Sequence, residues 1–317
     1  MIHGQGRDSM KNLSAAAAAV CSLLLLLIFP DSAKDAALGG LETCGEIIIP
    51  SLFPFFVAVN LISEMGIVAR ICEVTRSSIS RAAFIIGISG GYPIGASYIA
   101  EARKRGEISC SEASDMLIYC NNSGPAFIIS AVGISVFNSV AIGILLYASH
   151  ILSALIYGKI FCRTSVSEAG CFSAGRSFAD ALVTSVKKSA AAIISICGFV
   201  LTFSVFLSVI DAKGLLHVLC GALSSAMHTE LKFSKALIYG VFELGNSISQ
   251  MQGLSTTPLN LALASFILGW GGISVHFQTF SIIADTDIKT ARYVIGRFLI
   301  AIIGAVIAYL SALIFRI

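Results

Sequence analysis

Charged residues are scarce in this 317-residue sequence, at 12% of the chain, whereas a soluble domain carries about 25%. The net charge of +3 is small, and no basic run is interleaved with aromatic residues, which argues against nucleic-acid binding. The nine cysteines form no CxxC pair and no His/Cys cluster at zinc spacing; we predict reduced thiols that serve as small apolar residues. No HExxH, GxSxG or P-loop pattern occurs, so we predict no enzyme, no cofactor and no metal site.

Hydrophobic residues make up 56% of the chain. They are concentrated in segments at about 13–30, 46–63, 82–99, 116–134, 138–161, 189–210, 237–254, 259–284 and 293–316. About 20 apolar residues are needed for a helix to cross the hydrocarbon core, and backbone groups in lipid must find their partners within the chain. Alternating ten-residue strands are absent. The sequence therefore predicts an all-α integral membrane protein in contact with the lipid bilayer.

Two of the apolar segments are poor candidates for a simple span. Residues 82–100 read AAFIIGISGGYPIGASYIA, and glycine and proline at the centre cost about 1 and 3 kcal/mol in a helix interior. Each flank has about eight residues, or roughly 12 Å of helix, which reaches the bilayer midplane only. Residues 237–253 carry Glu243 and Asn246 at their centre, too polar for lipid contact. We predict a re-entrant hairpin at each place.

The distribution of basic residues tests this topology, because cytoplasmic loops are enriched in Lys and Arg. With a cytoplasmic N terminus and two hairpins, 16 of the 21 basic residues lie on the cytoplasmic side. They include the Arg103-Lys104-Arg105 cluster and Arg297, which we count with the cytoplasmic end of the last span. A crossing segment at 82–99 would place that cluster on the far side. The first apolar run is interpreted as an uncleaved span, with a signal peptide as the alternative.

This topology divides the chain into two similar halves. We predict an N-terminal transmembrane helix at 1–40, a first repeat at 41–162, a cytoplasmic linker at 163–188 and a second repeat at 189–317. Each repeat contains spanning helices, a re-entrant hairpin and a broken helix, and the two repeats are inverted. Inverted repeats with interrupted helices at matching positions indicate a transport site where the repeats meet.

The stretch CNNSGPAFIIS at 120–130 supplies the first candidate site residues. Pro125 removes an N–H and breaks the helix, so a new half-helix begins whose free N–H groups favour an anion. The amides of Asn121 and Asn122, followed by Ser123 and Gly124, offer donors and acceptors to a substrate. The alternative is that the two asparagines only tie helices together.

Three further groups of candidates come from the other interruptions. The first hairpin tip offers close backbone approach and a hydroxyl. The second offers a carboxylate for ion coupling, with an amide on the same helical face. The break in GWGGISVHFQ is followed by polar residues. The predicted substrate-binding residues are Gly90, Gly91, Tyr92, Pro93, Asn246, Ser274 and Gln278, with Glu243 as the candidate for ion coupling. Packing kinks and a structural ion pair are the alternatives. We interpret His276 as a packed, hydrogen-bonded side chain, His150 as a residue of no special role, and Trp270 as either a gate or a packing residue.

Three motifs carry a resemblance to a known family. GISGGYPIGASYIAEARKRGEIS, CNNSGPAFIISAVG and GWGGISVHFQ resemble the YlbJ/SpoVV-type sporulation integral membrane proteins, over roughly residues 40–317. The resemblance implies two gate (nucleoside-recognition) modules. It also implies movement of dipicolinate, a small anionic molecule, from the mother cell across the outer forespore membrane.

Dipicolinate is a planar dianion, and amides and half-helix N termini would bind its carboxylates without a buried arginine. A negative cytoplasm would favour export by about 2.3 kcal/mol per charge and 100 mV. Two other functions stay open: an ion-coupled carrier of nucleosides or other small solutes, and a non-transporting membrane scaffold for spore assembly. Oligomerisation is also left open.

Overall fold

The computed structural model describes residue 16 and residues 20–74, 78–162 and 175–317. All regular secondary structure in this part of the chain is helical. A short helix at 20–28 precedes fourteen α-helices and two π-helical stretches. The elements are α1 (Pro30–Thr43), π1 (Cys44–Ile48), α2 (Ile49–Glu64), α3 (Ile67–Val74), α4 (Ile79–Gly90), α5 (Ile94–Lys104), α6 (Cys110–Cys120), π2 (Ala126–Ile134), α7 (Val140–Phe161), α8 (Phe178–Asp211), α9 (Leu215–Met227), α10 (Leu231–Phe242), α11 (Leu244–Met251), α12 (Pro258–Trp270), α13 (Gly272–Ile283) and α14 (Thr290–Phe315).

Five stretches of the described chain are long and apolar enough to cross a membrane. They are Pro30–Glu64, Val140–Phe161, Phe178–Asp211, Pro258–Ile283 and Thr290–Phe315. The outward faces of these stretches carry large apolar side chains, such as Ile194 on α8 and Ile295 and Val306 on α14. Such an apolar surface is stable only against lipid. The chain is therefore a helical, multi-pass integral membrane protein, as the composition predicts.

Four interruptions divide the apolar segments, and glycine or proline explains three of them. The break between α4 and α5 contains Gly91, at φ +82°, and Pro93. The break between α6 and π2 contains Asn121 to Pro125. A single extended residue, Glu243, separates α10 from α11, and Gly271, at φ +82°, separates α12 from α13. Glycine adopts positive φ without steric cost, so the glycine and proline positions set where the helices stop.

The helices cross two of the predicted domain boundaries. The boundary at residue 40 falls inside one continuous helical stretch, Pro30–Glu64. The last 11 residues of the predicted linker, 178–188, are also helical, because α8 begins at Phe178. The Ser177 hydroxyl caps this helix by accepting a hydrogen bond from the Asp180 N–H, a common start signal. Residues 163–174 of the linker, and most of residues 1–19, lie outside the described residues.

One end of the molecule is held together by ion pairs, which also define the direction of the spans. The Glu64 carboxylate, at the end of α2, pairs with Arg176 and Lys188 near the start of α8, at 2.9 and 2.7 Å. Arg103 of α5 pairs with Asp287 in the α13–α14 loop, and Lys188 also pairs with Glu101 of α5. We call this end the ion-paired end. Since α2 ends there and α8 begins there, these two spans run in opposite directions.

The ion pair between Arg103 and Asp287 gives the protein a defined pH dependence. Hydrogen bonds from the Arg103 guanidinium lower the pKa of the Asp287 carboxyl from 3.8 to about 2. A lowered pKa in the folded state stabilises the fold above the unfolded pKa of 3.8, and this contribution is lost as the pH falls through 2. We expect Asp287→Asn to lower the unfolding temperature in detergent equally from pH 5 to pH 8, and the difference from the unsubstituted protein to vanish toward pH 2. A difference that grows on acidification would contradict this assignment.

Candidate functional site

Both hairpin tips and both broken helices meet at one small cavity inside the bundle. Its volume is about 50 Å³, enough for one or two water molecules at about 30 Å³ each. Apolar residues of π1, α2 and α8 form one wall, while the interruptions form the other. The cavity is lined by Ile48, Leu52, Phe56, Gly90, Gly91, Tyr92, Ser123, Gly124, Phe127, Ile196, Val200, Glu243, Leu244, Gly245, Val275 and Gln278. We call it the central cavity.

The first hairpin tip packs directly against the break between α6 and π2. A Cβ atom added to Gly91 would lie 2.7 Å from the Gly124 nitrogen, and one added to Gly95 would lie 2.5 Å from the Cys120 carbonyl oxygen. Backbone therefore touches backbone at this crossing, which only glycine permits. The glycines in SGGYPIGA and CNNSGPAF are explained by this contact between the two motifs.

Asn121 joins three different elements at this crossing. Its side-chain oxygen accepts a hydrogen bond from the Ala96 N–H at the start of α5. Its side-chain nitrogen donates to the Thr279 hydroxyl on α13 and to the Tyr293 hydroxyl on α14, at 3.0 and 3.1 Å. All three hydrogen bonds stay within the protein, and the side chain is fully buried. In this conformation Asn121 connects the two halves of the chain and does not line the central cavity.

The guanidinium of Arg297 lies at the centre of the same region. One of its nitrogens donates to the carbonyls of Ile118 and Asn121 and to the side-chain oxygen of Asn122. The second terminal nitrogen, Nη2, donates to the Tyr92 hydroxyl and to the Gly269 carbonyl. These partners are the first hairpin tip, the break after α6 and the end of α12. Arg297 therefore binds both halves of the chain where their helices are interrupted.

The topology prediction counts Arg297 with the basic residues of the cytoplasmic side, whereas the structure buries its side chain within the bundle. Its side chain is 0% exposed, because it lies inside α14 on the face that packs against α6 and α12. Without it, the predicted cytoplasmic count becomes 15 against five. Within the described chain, no carboxylate forms an ion pair with Arg297. An ionisable side chain at membrane depth usually marks a functional site.

Tyr92 lies between the Arg297 guanidinium and the central cavity. The Arg297 guanidinium carbon lies 5.4 Å from the centre of the Tyr92 ring, within cation–π distance, and Tyr92 itself lines the central cavity. A buried arginine thus lies beside the cavity, a feature that the sequence pattern does not reveal. A positive charge whose partners in the described chain are neutral lies one side chain away from the cavity, and it makes the potential on the Tyr92 side favourable to anions.

Glu243 occupies the N terminus of the second half-helix. Its carboxylate accepts hydrogen bonds from the backbone N–H groups of Leu244, Gly245 and Asn246, and the Ser274 side chain lies beside it. The positive end of the α11 dipole is thus neutralised by the chain itself. Because Glu243 also lines the central cavity, one negative group faces the anion-attracting side formed by Tyr92 and Arg297.

The two buried histidines lie beside the two broken helices. The His150 Nε2 atom accepts a hydrogen bond from the Ser123 N–H, at 3.1 Å, a partner that the sequence pattern does not reveal. His276 donates from Nδ1 to the Gly272 carbonyl, at 2.8 Å, which agrees with the interpretation of a packed, hydrogen-bonded side chain. Trp270 donates from Nε1 to the Val241 carbonyl and packs on His276, so it fixes the end of α12 against α10.

The predicted site residues fall into three groups in the structure. The central cavity is lined by Gly90, Gly91, Tyr92, Ser123, Gly124, Gln278 and Glu243. A second group lies next to these residues without lining the cavity, and its members are Pro93, Asn121, Asn122 and Ser274. Asn246 lines a separate polar cavity. Among the described residues, no group of three or more His, Cys, Asp or Glu could hold a metal ion.

These features define the class of the protein as a multi-pass membrane protein with a cavity where interrupted helices meet. The chain is similar to the sporulation integral membrane protein YlbJ of Bacillus subtilis (strain 168), with 28% identity over 318 residues, 89% of this chain and 78% of the relative. The chain is thus a membrane protein related to that sporulation protein, which supports the resemblance carried by its motifs. No family model and no solved structure matches it.

Proposed function

We propose that the chain is a membrane transporter for a small anionic solute and that the central cavity is its binding site. One observation supports this most directly. The fully buried Arg297 guanidinium, whose partners in the described chain are neutral, lies behind Tyr92 in the cavity wall. This positive charge favours an anion on the Tyr92 side of the cavity, and Glu243 lines another part of the wall.

We infer further that the two halves form inverted repeats, each with a re-entrant hairpin and a broken helix. In each half, the first span packs against one hairpin arm and against the second part of the broken helix: α2 against α4 and π2, and α8 against α11 and α13. The spans α2 and α8 run in opposite directions from the ion-paired end. This arrangement supports alternating access between two gate-type halves, with the ion-paired end and the N terminus in the cytoplasm.

The size of the central cavity indicates how such a cycle would begin. Sites for small organic ligands enclose about 300–1,000 Å³, whereas the central cavity has about 50 Å³. The structure therefore represents a closed conformation in this proposal, and the two halves must separate around the interruptions to admit a solute.

Dipicolinate is the solute that we propose, transported from the mother cell toward the forespore across the outer forespore membrane. The relation to a sporulation membrane protein supports the setting, and the positive potential beside Tyr92 suits a dianion. Each exported negative charge gains about 2.3 kcal/mol per 100 mV from a negative cytoplasm. Export can therefore run without a coupling ion.

Flux into proteoliposomes tests this proposal. We expect the purified chain to accelerate dipicolinate movement at least tenfold over protein-free liposomes, and an imposed potential, negative on the side of origin, to increase it. The uncharged ester of dipicolinate serves as the matched control, because it lacks the carboxylates and should gain nothing from the potential. Liposomes that stay impermeable to dipicolinate at every potential would overturn the assignment.

A second candidate, an ion-coupled carrier of nucleosides or other small solutes, is favoured by Glu243. Its carboxylate lines the central cavity at the tip of the second hairpin, where binding of a proton or sodium ion would neutralise it. The same liposomes separate the two candidates. Uptake of uridine that requires a sodium or proton gradient, without dipicolinate flux, would favour the carrier.

A further inference from the structure

A second, polar cavity lies on the side of the bundle away from the ion-paired end. Its volume is about 430 Å³, and hydroxyl and amide groups predominate among its lining side chains. It is lined by Ser32, Ala36, Gly39, Gly40, Thr43, Ser204, Ser208, Asp211, Ala212, Tyr239, Asn246, Ser249 and Gln250. We call it the vestibule. Asp211 and Lys188 are separated by 23 residues of one helix, about 35 Å, which places the vestibule toward the opposite membrane face.

The vestibule and the central cavity are lined by the same three stretches of chain. Along α8, Ile196 and Val200 line the central cavity, while Ser204 and Ser208 line the vestibule, at steps of four residues on one helical face. Around α11, Glu243 to Gly245 line the first cavity and Asn246 lines the second. Each stretch changes from the wall of one cavity to the wall of the other within about one helical turn.

The third stretch keeps this register through a π-helical turn. Along the continuous stretch from α1 through π1 to α2, the vestibule is lined by Ala36, Gly40 and Thr43, and the central cavity by Ile48 and Leu52. The step of five residues from Thr43 to Ile48 falls on π1, whose turn accommodates one more residue than an α-helical turn. The π-helix therefore keeps both sets of residues on one face, and the two cavities form one line through the protein.

A narrow contact separates the two cavities. The Ser204 hydroxyl donates to the Asn246 side-chain oxygen at 2.9 Å, and Gly40 packs closely on Ser204 and Leu201. Ser204 is buried, whereas Ser249 on the vestibule side is exposed. A single hydrogen bond between neutral side chains contributes only about 0.5–1.5 kcal/mol net, so thermal motion can open this contact.

We propose that the vestibule is the access route of the solute to the central cavity from the face opposite the ion-paired end, and that the Ser204–Asn246 contact closes it. The identity of the solute rests on the function proposed above, whereas the route itself does not. Asn246 then acts at the closure, which explains why it lies outside the central cavity. Hydroxyl and amide groups in the vestibule replace water around a carboxylate solute as it moves inward.

Thiol labelling with a negatively charged, membrane-impermeant methanethiosulfonate tests the route, and peptide mass spectrometry resolves each position from the native cysteines. We expect Ser208→Cys and Ser249→Cys to react at least tenfold faster than Thr202→Cys. Thr202 is exposed on the same helix but lines an apolar cavity, so it controls for depth along α8. The reagent should act from the side opposite to the one that labels Lys104→Cys. Equal rates at 202 and 208, or labelling from the Lys104 side, would overturn the route.

The closing contact has its own measurement. Val200→Cys, in the central cavity, should react slowly, and adding Ser204→Ala should raise its rate about threefold to tenfold, as expected for loss of one hydrogen bond. Thr202→Ala is the matched control and should leave the rate unchanged. An unchanged rate with Ser204→Ala would show that this contact does not close the route. Since labelling needs no transported solute, a failed dipicolinate flux with successful labelling would remove the substrate and keep the route.

Discussion

Arg297→Met is expected to lower dipicolinate flux by more than 100-fold and to destabilise the folded protein. Methionine retains much of the length of the side chain but removes the donors to Tyr92, Asn122 and three backbone carbonyls. Each buried acceptor left without a donor costs about 1–3 kcal/mol. Loss of two such partners would cost about 2–6 kcal/mol of folding stability, and loss of the charge behind Tyr92 removes the attraction on which anion flux depends. Flux into liposomes and thermal unfolding in detergent measure the two effects.

Two further variants identify the cause. Arg316→Met removes a charge at the exposed end of the same helix, and we expect flux and unfolding temperature to stay near those of the unsubstituted protein. Arg297→Lys keeps the charge but lacks the planar fork of donors, so it cannot bind both halves at once. If Arg297→Lys kept the anion selectivity but lost the stability, the charge would account for selectivity and the hydrogen bonds to both halves would account for stability. Full activity of Arg297→Met would refute both.

The sequence predicts where the helices stop, because the causes are local. Pro125 and the paired glycines at 90–91 and 271–272 prevent a regular helix whatever the surroundings, and the structure interrupts its helices at each of these positions. Polar residues in an apolar segment also indicate burial against protein, as the contacts of Asn121 and Glu243 show. These signals need no knowledge of the tertiary structure.

The positions of Arg297 and Asn246 could not be predicted because they depend on packing. Arg297 lies eight residues into α14, close enough to the helix end to be counted with the solvated basic residues. Its burial results from the face that α14 presents to α6 and α12, a consequence of how the two halves pack. Asn246 is one helical turn from Glu243 along the chain, and only the register of α8 and α11 places it in the vestibule.

Gly91→Ala is expected to separate the first hairpin from the broken helix and to reduce flux severely. The residue has φ +82° and ψ −175°, a region that is almost restricted to glycine and costs about 1–3 kcal/mol with a Cβ atom. The added methyl group would also lie 2.7 Å from the Gly124 nitrogen and 2.9 Å from its Cα atom. Overpacking of this kind costs about 1–3 kcal/mol more. Since both partners are backbone, neither can rotate away, and the crossing must open.

Gly106→Ala provides the control that separates these two costs. Gly106 has a similar φ of +73°, but a Cβ atom there would meet nothing within 4 Å. We expect it to show only the conformational cost, as a modest fall in unfolding temperature with flux retained, whereas Gly91→Ala should lose both stability and flux. A larger loss for Gly91→Ala than for Gly106→Ala is the result expected from the close approach of the hairpin tip to the break at Gly124. Equal effects would mean that this approach contributes nothing, and the central cavity would lose its physical basis as the place where the interruptions meet.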